Sequence, residues 1–206
     1  TQLGVPAPTP SMRGLVAFAD SGRPRHYGAL DDLWSNAFPM ALPPELDDGL
    51  GIIMLNSNAD THFSFTNALG MVSIEQVERM EIAARQYPRA LWVIAIHHHL
   101  VEYPWRPHAF SERVGTALIN SPWFVRRLRA FPGRAVVMHG HRHVDWLGQC
   151  AGLPIVSAPS QVMDPDLSCF YVHTLYRDAN GPLGLLPPER VVLKQVSTAP
   201  RPCRRG

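Results

Sequence analysis

Lysine is almost absent from this 206-residue sequence, with Lys194 the only one. Arginine carries the positive charge, and against 17 Asp and Glu residues it leaves a net charge of +2. That balance is too mild for a nucleic-acid-binding surface, and no basic stripe appears before the short end from Arg201 to Arg205. Long hydrophobic runs are missing too. The longest aliphatic and aromatic stretch, Leu91 to Ile96, falls far short of the roughly 20 residues that a membrane span needs. No basic segment followed by an apolar one opens the chain, so no signal peptide is visible. Cysteine is scarce. Cys150, Cys169 and Cys203 are an odd count at unrelated spacing, which excludes a disulfide framework and a CxxC metal knuckle. They read as reduced thiols of a cytoplasmic protein.

What is present is apolar and rich in turns. Hydrophobic residues make up 46% and charged residues 17%, enough to bury a core. The 20 prolines point to many turns and long loops and argue against a helical bundle. Of ten histidines, His97-His98-His99 and His141-x-His143 form two tight groups, with His139 beside the second. The chain starts at Thr1 rather than Met, which reads as a processed product or a piece of something longer.

Residues 1–48 read as a Pro-rich segment containing loops, with a possible short strand from Leu15 to Ala19. The pattern then sharpens. Gly51 to Leu55, Ala90 to Ile96 and Arg134 to Met138 are continuous apolar runs, as buried strands are. Ser73 with Gln76 three residues on forms a capping box, and Ile74, Val77, Met80 and Ala84 give a helical stripe that Pro88 stops. Ser111 caps a second helix. Ser121-Pro122 opens a third, with Phe124 and Leu128 inward and Arg126, Arg127 and Arg129 in water. From Val144 onward, short alternating runs read as antiparallel strands without helices. The fold class is therefore α/β, turning α+β at the C-terminal end. Residues 49–198 form one domain body and 199–206 an Arg-rich tail.

Strands joined by helices run parallel, which brings their carboxyl ends to one edge of the sheet, where open α/β sheets bind ligands. Two of these strands end in histidines. A single histidine at a strand end is usually structural. Several at the ends of two consecutive strands suit a site for zinc, manganese or iron.

Gly140-His141-Arg142-His143 resembles the GHxH motif of the calcineurin-like metallophosphoesterases. Trp92 to His98 is similar to the strand that delivers that family's earlier histidine. Gly70 to Gln76 resembles the opening of its preceding helix, Leu55-Asn56-Ser57-Asn58 a strand that commonly ends in Asp-Ser, and Ala158-Pro159-Ser160 the small-residue strand after GHxH. The likeness covers about residues 50 to 175. It implies part of a four-layer αββα sandwich. It also implies hydrolysis of phosphodiesters or phosphomonoesters at two divalent or trivalent metal ions (Mn, Fe or Zn) roughly 3.5–4 Å apart. His97, or His98 in its place, and His141 would bind the second metal and His143 the first. Arg106 and His108, in the loop with Tyr103 and Trp105, would face the phosphate-ester substrate, although aromatic cover for the sheet edge is the plainer reading of that loop. Trp146 reads as packing.

The family's earlier motifs are missing. Asp60-Thr61-His62 has the Asp-x-His spacing but lies after the strand ending at Leu55, in the wrong order. Asp20 lacks a partner histidine. No Gly-Asp follows a strand, and no Gly-Asn-His exists. Two dications without a bridging carboxylate would repel. The expectation is a C-terminal part of a metallophosphoesterase, with its N-terminal half elsewhere or its exposed sheet paired with a second copy. Two rivals stand beside it. One is a non-catalytic half domain that binds one metal or a protein partner. The other is an unrelated zinc fold with a further ligand among Cys150, Asp145 or Asp60.

Overall fold

The structure is a computed structural model that describes residues 37–58, 69–104, 118–150, 152–160, 168–177, 179 and 181–193. The readings at Leu15 to Asp20, Asp60-Thr61-His62, Trp105, Arg106, His108, Ser111, Cys203 and the Arg-rich end lie outside these residues.

A six-stranded sheet organises the chain. Strands β1 (Met40–Leu42), β2 (Leu50–Leu55), β3 (Leu91–Ile96), β4 (Ala135–His139), β5 (Trp146–Cys150) and β6 (Leu153–Ser157) lie in the order β1-β2-β3-β4-β6-β5. The four inner strands run parallel, and both edges are antiparallel. The fold is mixed α/β, and the three apolar runs form β2, β3 and β4 with bounds shifted by a residue. Two readings are corrected. Met40–Leu42, inside the segment read as loops, is an edge strand paired with β2. The strands after Val144 are not a plain antiparallel meander, because β6 pairs in parallel with β4. Leu153, Ile155 and Val156 are all buried, and a strand apolar on both faces belongs inside a sheet rather than at its edge.

Helix α1 (Ile74–Gln86) connects β2 to β3. Ser73 caps it by accepting from the Gln76 N–H at 3.3 Å. The reciprocal half of the expected capping box does not form. Instead, the Gln76 amide accepts from Asn56 N–H at 2.8 Å and donates to Asn56 C=O at 2.9 Å, clamping the helix start to the end of β2. The inward stripe is accordingly Gln76, Val77, Met80 and Ala84, while Ile74 is 60% exposed. Helix α2 (Ser121–Arg127) starts one residue earlier than read, with Asn120 at its N-cap and Pro122 in its first turn. The Asn120 side chain holds Val72 through both backbone groups, at 2.6 and 3.2 Å, which ties the two helix entries together. Phe124 and Leu128 point inward as expected.

Ile53, Ile94, Val137 and Ile155 stand in register across the four parallel strands, each at most 1% exposed. They meet Val77, Met80, Phe124 and Leu128 in one core. Each such side chain contributes about 1.5–3 kcal/mol through burial. On the other face, Ile52, Met54, Val93, Ala95 and Met138 are half-buried.

Two smaller ribbons follow, β7 (Cys169–Val172) with β10 (Glu189–Val192) and β8 (Leu175–Arg177) with β9 (Leu183–Leu185). Asp145, just before β5, fastens the first by accepting from Tyr171 Oη and Arg190 Nε. Among the described residues, no helix is long and apolar enough to cross a membrane.

Candidate functional site

Parallel β2, β3, β4 and β6 present their carboxyl ends on one rim. Ser57 follows β2, His97 to His99 follow β3, His139 ends β4 and leads into Gly140-His141, and Ser157 ends β6. The backbone knits the two histidine groups directly. The N–H groups of Gly140 and His141 donate to His97 C=O at 3.3 and 3.0 Å.

The front of the rim holds three imidazoles. Ring centroids are 4.6 Å apart for His97 and His141, 4.4 Å for His98 and His141, and 5.0 Å for His97 and His98. His97 Nε2 lies 2.7 Å from His141 Nδ1, so one of the two donates its proton to the other. His98 is 2% exposed, and its Nδ1 lies 2.8 Å from Ser57 Oγ. The His98 N–H also reaches that hydroxyl at 3.3 Å. Gly70 covers the ring so closely that a Cβ there would stand 2.4 Å from His98 Cγ. His141 Nε2 is buried and has no hydrogen-bond partner among the described residues.

His143 is exposed, and its backbone takes φ 54°. The tight position of the motif is therefore His143 rather than Gly140, whose φ is not in the left-handed region. Histidine is enriched among the few non-glycine residues that adopt this conformation, and such strain gathers at functional turns.

Behind these rings lies a second, buried layer. His99 stacks on Tyr103 at 5.7 Å, and Trp146 meets the same ring edge-on at 5.4 Å. Tyr103 Oη is hydrogen-bonded to Ser157 Oγ at 2.9 Å. Arg142 lies over the Tyr103 ring at 5.4 Å. His139 is 4% exposed, and neither of its ring nitrogens has a hydrogen-bond partner among the described residues. Trp146 packs on Tyr103 as read, and His139 closes β4 beside the same ring at 6.3 Å.

Burial pushes the pKa of His141 down to about 4, helped by the neighbouring His97, His99, His143 and Arg142. His99 also falls to about 4, from burial and then Arg142, and His139 to about 4, from burial and then His99. Burial and then His143 lower His97. These imidazoles are neutral near pH 7, the form a metal requires.

The fit to a metal is partial. Among the described residues, no group of three or more His, Cys, Asp or Glu is placed to hold a metal ion. Two nitrogens bound to one tetrahedral zinc stand about 3.3 Å apart, given bonds of 2.0–2.1 Å. His97 Nε2 and His141 Nδ1, at 2.7 Å, are too close for that. His141 Nε2 is the nitrogen that suits a ligand, with its Nδ1 oriented by His97 as metal-binding histidines are oriented by a neighbour. Ser57 stands in the same relation to His98 Nδ1, which leaves ligation by His98 to Nε2. Asp145 is engaged by Tyr171 and Arg190, and Cys150 ends β5 opposite Leu153, the residue that starts β6. Among the described residues, neither joins the histidines in a group placed to hold a metal. The substrate-facing assignments to Arg106 and His108 fall outside the described residues.

Ser57 and Gly70 are the residues that sequence reading missed as parts of this site. Both lie in segments whose sequence is marked only by the family resemblance. The available signal was a small polar residue at the carboxyl end of the neighbouring parallel strand.

No protein-family model matches this chain, and no curated protein matches it. A solved structure similar to it is that of a Staphylococcus aureus protein named "Putative 5'-Nucleotidase". The two share 13% identity with a TM-score of 0.46 over 77% of this chain. The chain spans 30% of that protein's length.

Proposed function

We propose that this chain contributes the histidine side of a metal-dependent phosphoester hydrolase of the calcineurin-like metallophosphoesterase type, acting on phosphodiesters or phosphomonoesters. One observation carries the reading: His98 and His141, just after consecutive parallel strands, converge with ring centroids 4.4 Å apart, and His141 Nε2 is buried without a hydrogen-bond partner among the described residues. His141 and His98 would hold the metal through Nε2, His97 and Ser57 would orient them, and His143 would stand at the rim. A bound metal there supplies Lewis-acid polarisation of the phosphoryl group. The chain's own part is to keep the imidazoles neutral, fix their tautomers through Ser57 and His97, and exclude water from the layer around Tyr103. The half-buried apolar face of Ile52, Met54, Val93, Ala95 and Met138 suits the inner layer of a sandwich with a second sheet. Cys150 and Cys169 carry free thiols, which suits a cytoplasmic setting.

A second reading, a module that binds one metal without catalysis, is favoured by the rim's gathering of the His97, His98 and His141 imidazoles. Hydrolysis of bis(4-nitrophenyl) phosphate, measured with added Mn²⁺, Zn²⁺ or Fe²⁺, separates the two. Metal-dependent turnover that disappears in His141→Ala supports the hydrolase. Stoichiometric metal with no turnover under any of the three metals assigns the binding module.

A further inference from the structure

The opposite edge of the sheet carries a second group of polar residues. There a cavity of about 300 Å³ is lined by Asp48, Pro88, Arg89, Arg134, Gly181 and Pro182. Its walls come from the turns that precede the parallel strands. Asp48 lies before β2, Pro88 and Arg89 lie between α1 and β3, and Arg134 lies immediately before β4. Backbone bonds hold these turns in place: Leu91 N–H donates to Gly49 C=O at 2.9 Å, and Trp92 N–H donates to Arg134 C=O at 2.9 Å. Gly181 and Pro182, in the turn of the β8–β9 hairpin, line another side. Arg177 fastens the hairpin by donating to the Asp48 carboxylate and, at 3.0 Å, to the Asp48 carbonyl.

Among the described residues, the charges here do not cancel. Arg177 neutralises Asp48 and holds its carboxyl below the usual range. Arg89 reaches Asp47 at 3.4 Å, a pair in which both side chains are exposed and so weakly coupled. Arg134 has no carboxylate partner among the described residues. Its Nη1 is buried and finds no acceptor among them. A guanidinium hydrogen withdrawn from water without an acceptor is costly, and an anion brought beside it removes that cost. Arginine offers a planar fork that matches a carboxylate or phosphate edge. Pro88 and Pro182 give the same cavity an apolar wall.

We infer that this cavity is an anion site: Arg134 and Arg89 bind the phosphate or carboxylate group of a small ligand whose apolar part rests on Pro88 and Pro182. The site lies across the sheet from the histidines and does not depend on their role.

Titration calorimetry with inorganic phosphate and, separately, acetate tests it on the full chain carrying His141→Ala and stripped of metal with EDTA. Those conditions remove the histidine rim as a source of binding. Saturable one-to-one binding of either anion is expected, weakened at least tenfold by Arg134→Met and also by Arg89→Ser. A stronger response to phosphate assigns a phosphate-bearing ligand, and a stronger response to acetate a carboxylate. Should Arg134→Met fail to fold, Arg89→Ser alone decides. No saturable binding of either anion up to about 10 mM, or binding unchanged by the folded variants, overturns the inference.

Discussion

Ser57 Oγ and His98 Nδ1 lie 2.8 Å apart and join the ends of β2 and β3 across 41 positions of sequence. Both are buried, so the contact between hydroxyl and imidazole is shielded from water. Ser57→Ala leaves a buried ring nitrogen without that hydroxyl, at a cost of about 1–3 kcal/mol in urea unfolding. The same variant should weaken metal binding roughly 10–100-fold, because the ring loses its orienting partner. Metal affinity equal to that of the unsubstituted chain would remove Ser57 from the site.

Gly70 is required for close approach rather than for an unusual backbone angle. A Cβ at this position would sit 2.4–2.8 Å from three atoms of the His98 ring. Gly70→Ala must displace that ring or the strand end, which costs about 1–3 kcal/mol by overpacking. The thermal midpoint should fall, and metal affinity should fall with it. An unchanged midpoint would show that the ring yields freely.

Gln76 is a fully buried polar residue on the inward face of α1, satisfied by both backbone groups of Asn56. Gln76→Leu fills much of the same volume but strands two backbone groups, and is expected to destabilise by roughly 1–3 kcal/mol in urea. A stability equal to that of the unsubstituted chain would show that water replaces the clamp.

Acid should weaken the fold through its buried imidazoles. His99 and His139 have folded-state values near 4, against about 6.5 when unfolded. The unfolded chain therefore binds more protons between those values, and stability falls as pH drops from about 6.5 toward 4. At pH 5 the loss is about 2 kcal/mol per ring, so the metal-free chain should melt several degrees lower than at pH 7. His139→Phe and His99→Phe should each flatten this dependence. A melting temperature constant between pH 7 and pH 5 would contradict the buried, neutral state.

The fold was legible where periodicity is strong. The runs at Gly51–Leu55, Ala90–Ile96 and Arg134–Met138 could hardly be anything but covered strands, and the structure places them side by side. What remained hidden was settled by distant partners. Nothing local marks Met40–Leu42 as a strand, because β2 supplies its ladder from outside the segment. Gln76 looked like the second half of a capping box because its spacing from Ser73 permits one, and only the nearness of Asn56 diverts it. The histidines were visible as a cluster, but their arrangement was not. Which of His97 and His98 is exposed and which is sealed between Ser57 and Gly70 depends on the neighbouring strand and loop, which the His-His-His run does not encode.

Metal content measured by elemental analysis, on the chain purified without chelator and on its His141→Ala variant, tests the central claim most directly. The account predicts bound Mn, Fe or Zn in the unsubstituted chain and its loss in the variant, with the variant still folded by circular dichroism. Equal metal content in the two proteins, or none in either after incubation with all three metals, would contradict it.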